Sequence, residues 1–165
     1  MANRVCEVLL TESPLDGAAH SAAATADVDV SAGAIVDFWG VVRELEDGRA
    51  IEGIYYEAHT AMAEHQLQQI AATATEKFQL RKVIIHHRVG FVGAGEASLF
   101  LRAASSHRAA GFEASKWIVD ELKKKVPIWK RPRFRSNAVA SAVAAEKAAD
   151  ALRTAHTTAP EMTSR

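Results

Sequence analysis

Ten lysines and arginines fall between Arg102 and Arg135, against three acids, in a chain whose 20 cations and 20 anions otherwise cancel. Half the positive charge in about a fifth of the length marks a local anion site rather than a generally basic surface. From His107 to Arg131 the stretch reads as one helix with cations at its start and at its end, followed by a Pro-Ile-Trp-Lys-Arg exit. At its start stand His107 and Arg108, where free backbone N–H groups and the helix dipole attract anions. A cation there is unfavourable unless a phosphate or carboxylate joins it; the plain alternative is a solvated or salt-bridged pair. At its end stand Lys123, Lys124 and Lys125, which cannot all point one way and which also complement the dipole. Lys123 is the one expected to work. It lies two turns from Lys116, on a face shared with Phe112 and Val119. There, desolvation and nearby cations would lower its pKa and leave some neutral amine. Pro127-Ile128-Trp129-Lys130 follows as an irregular exit, in which Trp129 would pin the segment to the core while Lys130 turns inward. For Lys130 the alternative is an ordinary surface lysine.

Arg43 closes Gly40-Val41-Val42-Arg43 at a strand-to-loop junction and could take an anion bidentately, though by itself the signal is weak and reads more readily as a surface arginine. Gly90-Phe91-Val92-Gly93-Ala94-Gly95 leads into a strand, not a helix, so a hairpin turn is expected rather than a phosphate loop. His86 and His87, adjacent on a strand, point to opposite faces and cannot chelate one metal together. His59 and His65 fall on different sides of a helix, so no metal site is expected. Cys6 is the only cysteine, which excludes an intrachain disulfide or a CxxC motif and fits a reducing cytoplasm. The neutral balance argues against a nucleic-acid coat protein, and no aromatic RNP-like strand supports an RNA-binding module.

The elements that must position these groups are mixed without strict βαβ alternation, which favours α+β. Strands are expected at Arg4–Leu10, Ala34–Val42 with a bulge at Gly40, Ile51–Ala58, Arg81–Val89 and Ala97–Ala104. A short Ala-rich helix is expected over Ala18–Ala26, and Glu44–Arg49 reads as a polar loop. Thr60–Phe78 should be a helix capped by Thr60, with Met62, Leu67, Ile70, Ala71 and Ala74 inward. Ser106 should cap the long helix, and Pro127 should stop it near Lys125. Residues 1–135 form the expected domain. Residues 136–165 form an Ala-rich tail, with a short helix over Ala138–Ala155 and a disordered end. No apolar run is long enough for a signal peptide or a membrane span.

Taken in order, Gly40 to Arg43, Ser106-His107-Arg108, Phe112-Glu113-Ala114, Leu122-Lys123 and Pro127-Ile128-Trp129-Lys130 resemble the large, catalytic subunit of molybdopterin synthase, the MoaE family. The likeness runs from about residue 4 to residue 131, and the helix with its Pro-x-Trp-Lys exit is its specific part. It implies an α/β hammerhead-type domain, with an antiparallel sheet and packed helices, that forms a homodimer. It also implies a small ubiquitin-like sulfur carrier, one per large subunit in a heterotetramer, bearing a C-terminal glycine thiocarboxylate. The implied substrate is cyclic pyranopterin monophosphate, which receives two sulfurs, and no resident cofactor is implied. By the same resemblance Lys123 and Lys130 are catalytic. Val41, Val42, Arg43, Arg131 and Pro132 lie beside the substrate, and His107 and Arg108 bind an anion across the dimer interface. The chain departs from the family pattern at Val41, where a lysine or small polar residue is common, and at Pro132, where an acid is common. A dimeric scaffold that holds a carrier or phosphorylated ligand without catalysis is the competing expectation.

Overall fold

The computed structural model describes residues 5–17, 20, 29–136 and 146–148. Its elements run β1 (Cys6–Thr11), β2 (Ala34–Val41), β3 (Leu45–Glu46), β4 (Arg49–Ala58), α1 (Thr60–Phe78), β5 (Lys82–Arg88), β6 (Gly90–Gly93), β7 (Ala97–Ser105), α2 (Arg108–Lys125) and β8 (Ile128–Phe134). The α+β class expected from the sequence is the one observed. The helix expected over 18–26 and the tail elements expected beyond 137 lie outside the described residues, apart from His20 and 146–148.

Two sheets make up the body. The first has the order β1-β5-β7-β2. Its β5–β7 and β7–β2 pairs are antiparallel and its β1–β5 pair is parallel, the one departure from an antiparallel sheet. Period-two alternation gives this sheet two distinct faces. One presents Val83, Ile85, Leu99, Leu101 and Ala103 to the buried stripes of α1 and α2. In α1 that stripe is Ala63, Leu67, Ile70, Ala71 and Ala74; in α2 it is Gly111, Ala114, Ser115, Ile118 and Leu122. Met62, expected inward, is 52% exposed, because Ala63 takes the inward position of that first turn. Each fully buried Leu or Ile on this face contributes about 1.5–3 kcal/mol of transfer free energy.

The second sheet is built on β4. β3 pairs with its first residues, β6 with Gly53–Tyr56, and β8 runs antiparallel along most of its length. Its core is Val42, Ile51, Ile54 and Val92, with Tyr56 and Phe134 packed against them.

Four local expectations are corrected. The Gly90–Gly95 stretch expected as a hairpin turn begins as strand β6, Gly90–Gly93, paired antiparallel with β4. The segment expected as a polar loop over Glu44–Arg49 is a hairpin turning at Asp47 (φ 50) and Gly48 (φ 75). A two-residue turn of this hand needs positive φ at both centres, which Asp-Gly supplies. The irregular exit expected after Pro127 is β8, held to β4 by backbone hydrogen bonds from Ile128 to Phe134. Each helix is also capped one residue from the expected cap. His59 caps α1, its Nδ1 accepting from the Met62 N–H at 3.4 Å, and His107 stands at the cap of α2 without a side-chain hydrogen bond.

Candidate functional site

A cavity of about 500 Å³ opens where the end of β2, the last turns of α2 and the β4–β8 pair meet. This is an ordinary size for a small-molecule site. Val41, Val42, Arg43, Lys123 and Lys130 all line it, together with Glu46, Tyr56, His87 and Ser98. Each arrives there for a local reason. β2 ends in a register shift between Gly40 and Val41, the bulge expected from the glycine. That shift turns Val41 out (53% exposed) and leaves Val42 in the small core of the second sheet. Arg43 follows, held 3.6 Å from Glu46, three residues further on in β3.

Lys123 is placed by the end of α2. Val126 precedes Pro127 and is extended (φ −84, ψ 126), so the helix stops at Lys125 as expected. Lys124 and Lys125 both pair with Glu121, and Lys116 pairs with Asp120 at 2.6 Å. These ammonium groups hold both acids below the usual carboxylate range, through hydrogen bonds above all. Of the three consecutive lysines only Lys123 lines the cavity, beside Val119, Leu122 and Val126. It is nonetheless an exposed residue, so this chain alone does not supply the dehydration expected for it.

Lys130 is placed by β8. Alternation along the strand sends Ile128 and Lys130 to the cavity side, whereas Trp129 is 60% exposed and does not pin the segment as expected. The β8–β4 ladder does that, together with the His59 N–H donating to the Pro127 carbonyl at 3.3 Å. The Lys130 ammonium donates to Glu46 and, by that hydrogen bond first, holds the Glu46 carboxyl below its ordinary range. Arg43, Glu46 and Lys130 thus form a cation–anion–cation row along one wall, with a net positive charge.

The remaining sequence candidates lie elsewhere. Arg131 points to the opposite face of β8 and donates to Glu57, and Pro132 sits opposite Ile54 in the sheet; neither lines the cavity. His107 and Arg108 are exposed at the far end of α2. The 15 residues from Arg108 to Lys123 span roughly 22 Å of helix. Within one chain the two cationic ends of α2 therefore cannot share a ligand.

The sequence reading missed His87, Tyr56 and Glu46. For His87 the signal was present: two adjacent strand histidines must face opposite ways, so one had to point inward. It is 5% exposed, its Nδ1 donates to the Arg88 carbonyl at 2.7 Å, and its ring meets Tyr56 edge-on. His86 lies on the other face, between Glu7 and His20, at 2.8 and 3.0 Å. Among the described residues no three His, Cys, Asp or Glu side chains gather to hold a metal ion. Cys6 is half-buried on β1, 3.4 Å from Thr75 Oγ1 and away from the cavity. No described helix is long and apolar enough to cross a membrane.

Burial lowers the pKa of both His86 and His87 below the ordinary 6.5, outweighing the hydrogen bonds that would raise it. The unfolded chain therefore takes up these protons first as pH falls. Stability is fully present above 6.5 and is lost as pH drops from there through the folded-state values. Melting temperature is expected to fall on acidification between about pH 7 and pH 5, before carboxylates titrate. A flat calorimetric profile across that range would contradict the burial of neutral imidazoles.

The fold and the cavity define an α+β domain that gathers cations at one sheet–helix junction. The sequence profile of the family described as MoaE protein matches residues 10–125, and the chain belongs to that family. The molybdopterin synthase catalytic subunit of Thermoplasma volcanium is 43% identical over 100 residues, covering 61% of this chain and 73% of that protein. The protein of the same name from Oryza sativa subsp. indica is 44% identical over 103 residues; the match covers 62% of this chain and 53% of the rice protein. The crystal structure of molybdopterin synthase from Staphylococcus aureus superposes with a TM-score of 0.69 at 28% identity, covering 79% of this chain and 92% of that one.

Proposed function

We propose that this chain is the large, catalytic subunit of a molybdopterin synthase, a sulfurtransferase of molybdenum cofactor biosynthesis. It would convert cyclic pyranopterin monophosphate to molybdopterin with sulfur from the C-terminal glycine thiocarboxylate of a small ubiquitin-like carrier. The observation that carries this reading is the convergence of Lys123 and Lys130, from either side of Pro127, on one cavity with Val41, Val42 and Arg43. Both reactants are anions, and two ammonium groups with an arginine offset the repulsion between them. The exposed Val41 and Phe38 at the mouth offer apolar contact to a carrier tail.

In this reading Lys123 meets the thiocarboxylate carbonyl and assists acyl chemistry or proton transfer, while Lys130 holds or protonates the pterin. Exchange of its bond to Glu46 for one to the incoming phosphate would release Lys130 for that task. His107 and Arg108 are solvent-facing and too far to act in their own chain. They would serve as anion ligands for the cavity of a second copy, in a homodimer carrying one carrier per subunit. Arg131 and Pro132 would line the exit segment that leads to it.

The test is turnover by the purified chain with thiocarboxylated carrier and the cyclic pterin, followed by mass spectrometry. Dithiolene product supports the reading. Carrier binding without product would show a scaffold instead.

A further inference from the structure

We propose that His87 is a substrate-binding residue, a neutral imidazole on the cavity floor whose Nε2 accepts a hydrogen bond from an N–H of the pterin ring. The inference rests on the sulfurtransferase reading above and deepens it by assigning how the heterocycle, rather than its phosphate, is held.

The argument starts from the tautomer. A carbonyl oxygen can only accept, so the 2.7 Å contact to Arg88 O places the ring proton on Nδ1. Burial keeps the ring neutral, and Nε2 of that tautomer is then an acceptor. It makes no hydrogen bond among the described residues, yet the one sealed, unpartnered side-chain polar atom among them is Arg88 Nε. His87 Nε2 is therefore unpartnered but not sealed, and the space that His87 lines is the cavity. Burial, the edge-on Tyr56 ring and β5 hold the imidazole in place, so little ordering remains for a ligand to impose.

The chemistry of the walls assigns the ligand group. Arg43, Lys123 and Lys130 are donors suited to phosphate and thiocarboxylate. Of the lining side chains that only accept, Glu46 is already taken up by Lys130 and Arg43, which leaves His87 Nε2, with the Tyr56 ring packed beside it. A planar heterocycle rich in ring N–H and amino donors fits that pair; a simple phosphate does not.

Two variants and one measurement on the unmodified protein test this. In His87→Asn the side-chain amide still reaches the Arg88 carbonyl but no longer reaches into the cavity. In His87→Gln an acceptor is restored near the Nε2 position. With His87→Asn the KM for the cyclic pterin should rise about 10- to 100-fold, as expected when a buried partner loses its hydrogen bond. Affinity for the carrier should be unchanged, and His87→Gln should recover most of the loss. In wild-type protein labelled with 15N-histidine, adding the cyclic pterin should move the His87 Nε2 resonance. An unchanged KM in folded His87→Asn overturns the assignment. So does equal impairment of both variants, or a static Nε2 resonance in the presence of bound pterin. Absence of turnover by the wild-type chain in the same assay would instead defeat the sulfurtransferase reading itself.

Discussion

Replacing Lys123 by alanine is expected to lower product formation by about 10²–10⁴-fold, the usual worth of a positioned proton-transfer group. Carrier affinity should stay largely intact. The separation of the two effects follows from geometry. Lys116, Lys124 and Lys125 are each tied to an acid on α2, whereas Lys123 makes no hydrogen bond or ion pair among the described residues. It is exposed and lies on the cavity wall, so its removal unsatisfies nothing and leaves the packing of Leu122 and Val126 undisturbed. A loss of activity in Lys123→Ala would then report on chemistry and not on folding. Lys124→Ala, one residue away with its ammonium on Glu121, is the control and should retain activity. Single-turnover assays with thiocarboxylated carrier, paired with calorimetric titration of the carrier, separate the outcomes. An amide adduct between Lys123 and the carrier's terminal glycine, seen by mass spectrometry, would mark the contact directly. Full turnover by Lys123→Ala would remove the assignment.

Lys123 faces water in the isolated chain. An ammonium facing water is poorly placed to act on an acyl group, because solvent competes for it. The carrier tail, entering past Val41 and Phe38, would displace that water and complete the dry environment. Under the proposed function, reactivity at Lys123 would be tied to carrier docking, and the group would stay idle until its partner arrives.

Much of this site was legible in the residues because its determinants are local. Val126-Pro127 ends α2 whatever else the chain does, and that stop fixes where Lys123 sits. Gly40 forecast the bulge that delivers Val41 to Arg43. The missed parts depend on long-range pairing. β8 was not read as a strand because Pro132 and a run of cations interrupt any alternating pattern. Only its pairing with β4, some 75 residues earlier in the chain, makes it one. Glu46 was assigned to a loop although Asp47-Gly48 is a strong hairpin signal; the two-residue β3 is too short to show periodicity. His87 was weighed only as a metal ligand. Alternation requires one histidine of the pair to be buried, but only the long-range contact of His87 with Tyr56 of β4 shows which, and what lies beside it.

The largest expected effect on stability lies on the sheet face turned away from the helices. Arg102 stands on the central strand β7 with 2% of its side chain exposed, opposite Asp37 in the register of β2. Its Nε and Nη2 each donate to one oxygen of that carboxylate at 2.7 Å, and Nη2 also reaches the His20 carbonyl at 3.0 Å. The burial is unequal, because Asp37 on the edge strand keeps 30% of its side chain exposed. Removing the acid therefore leaves the more costly partner behind, a buried guanidinium with the His20 carbonyl still accepting from it. Asp37→Ala should cost about 3–5 kcal/mol, as when a buried pair is broken from one side. Asp37→Asn, which keeps one acceptor, should cost less. Adding Arg102→Met to Asp37→Ala should recover part of the loss, because the stranded charge is then gone. Urea denaturation checks this through the transition midpoint, provided the slope is unchanged. A loss below about 1 kcal/mol would show that the pair behaves like a surface ion pair. Asp37 and Arg102 do not line the cavity, so the destabilised but folded variant should retain the KM of the wild-type chain.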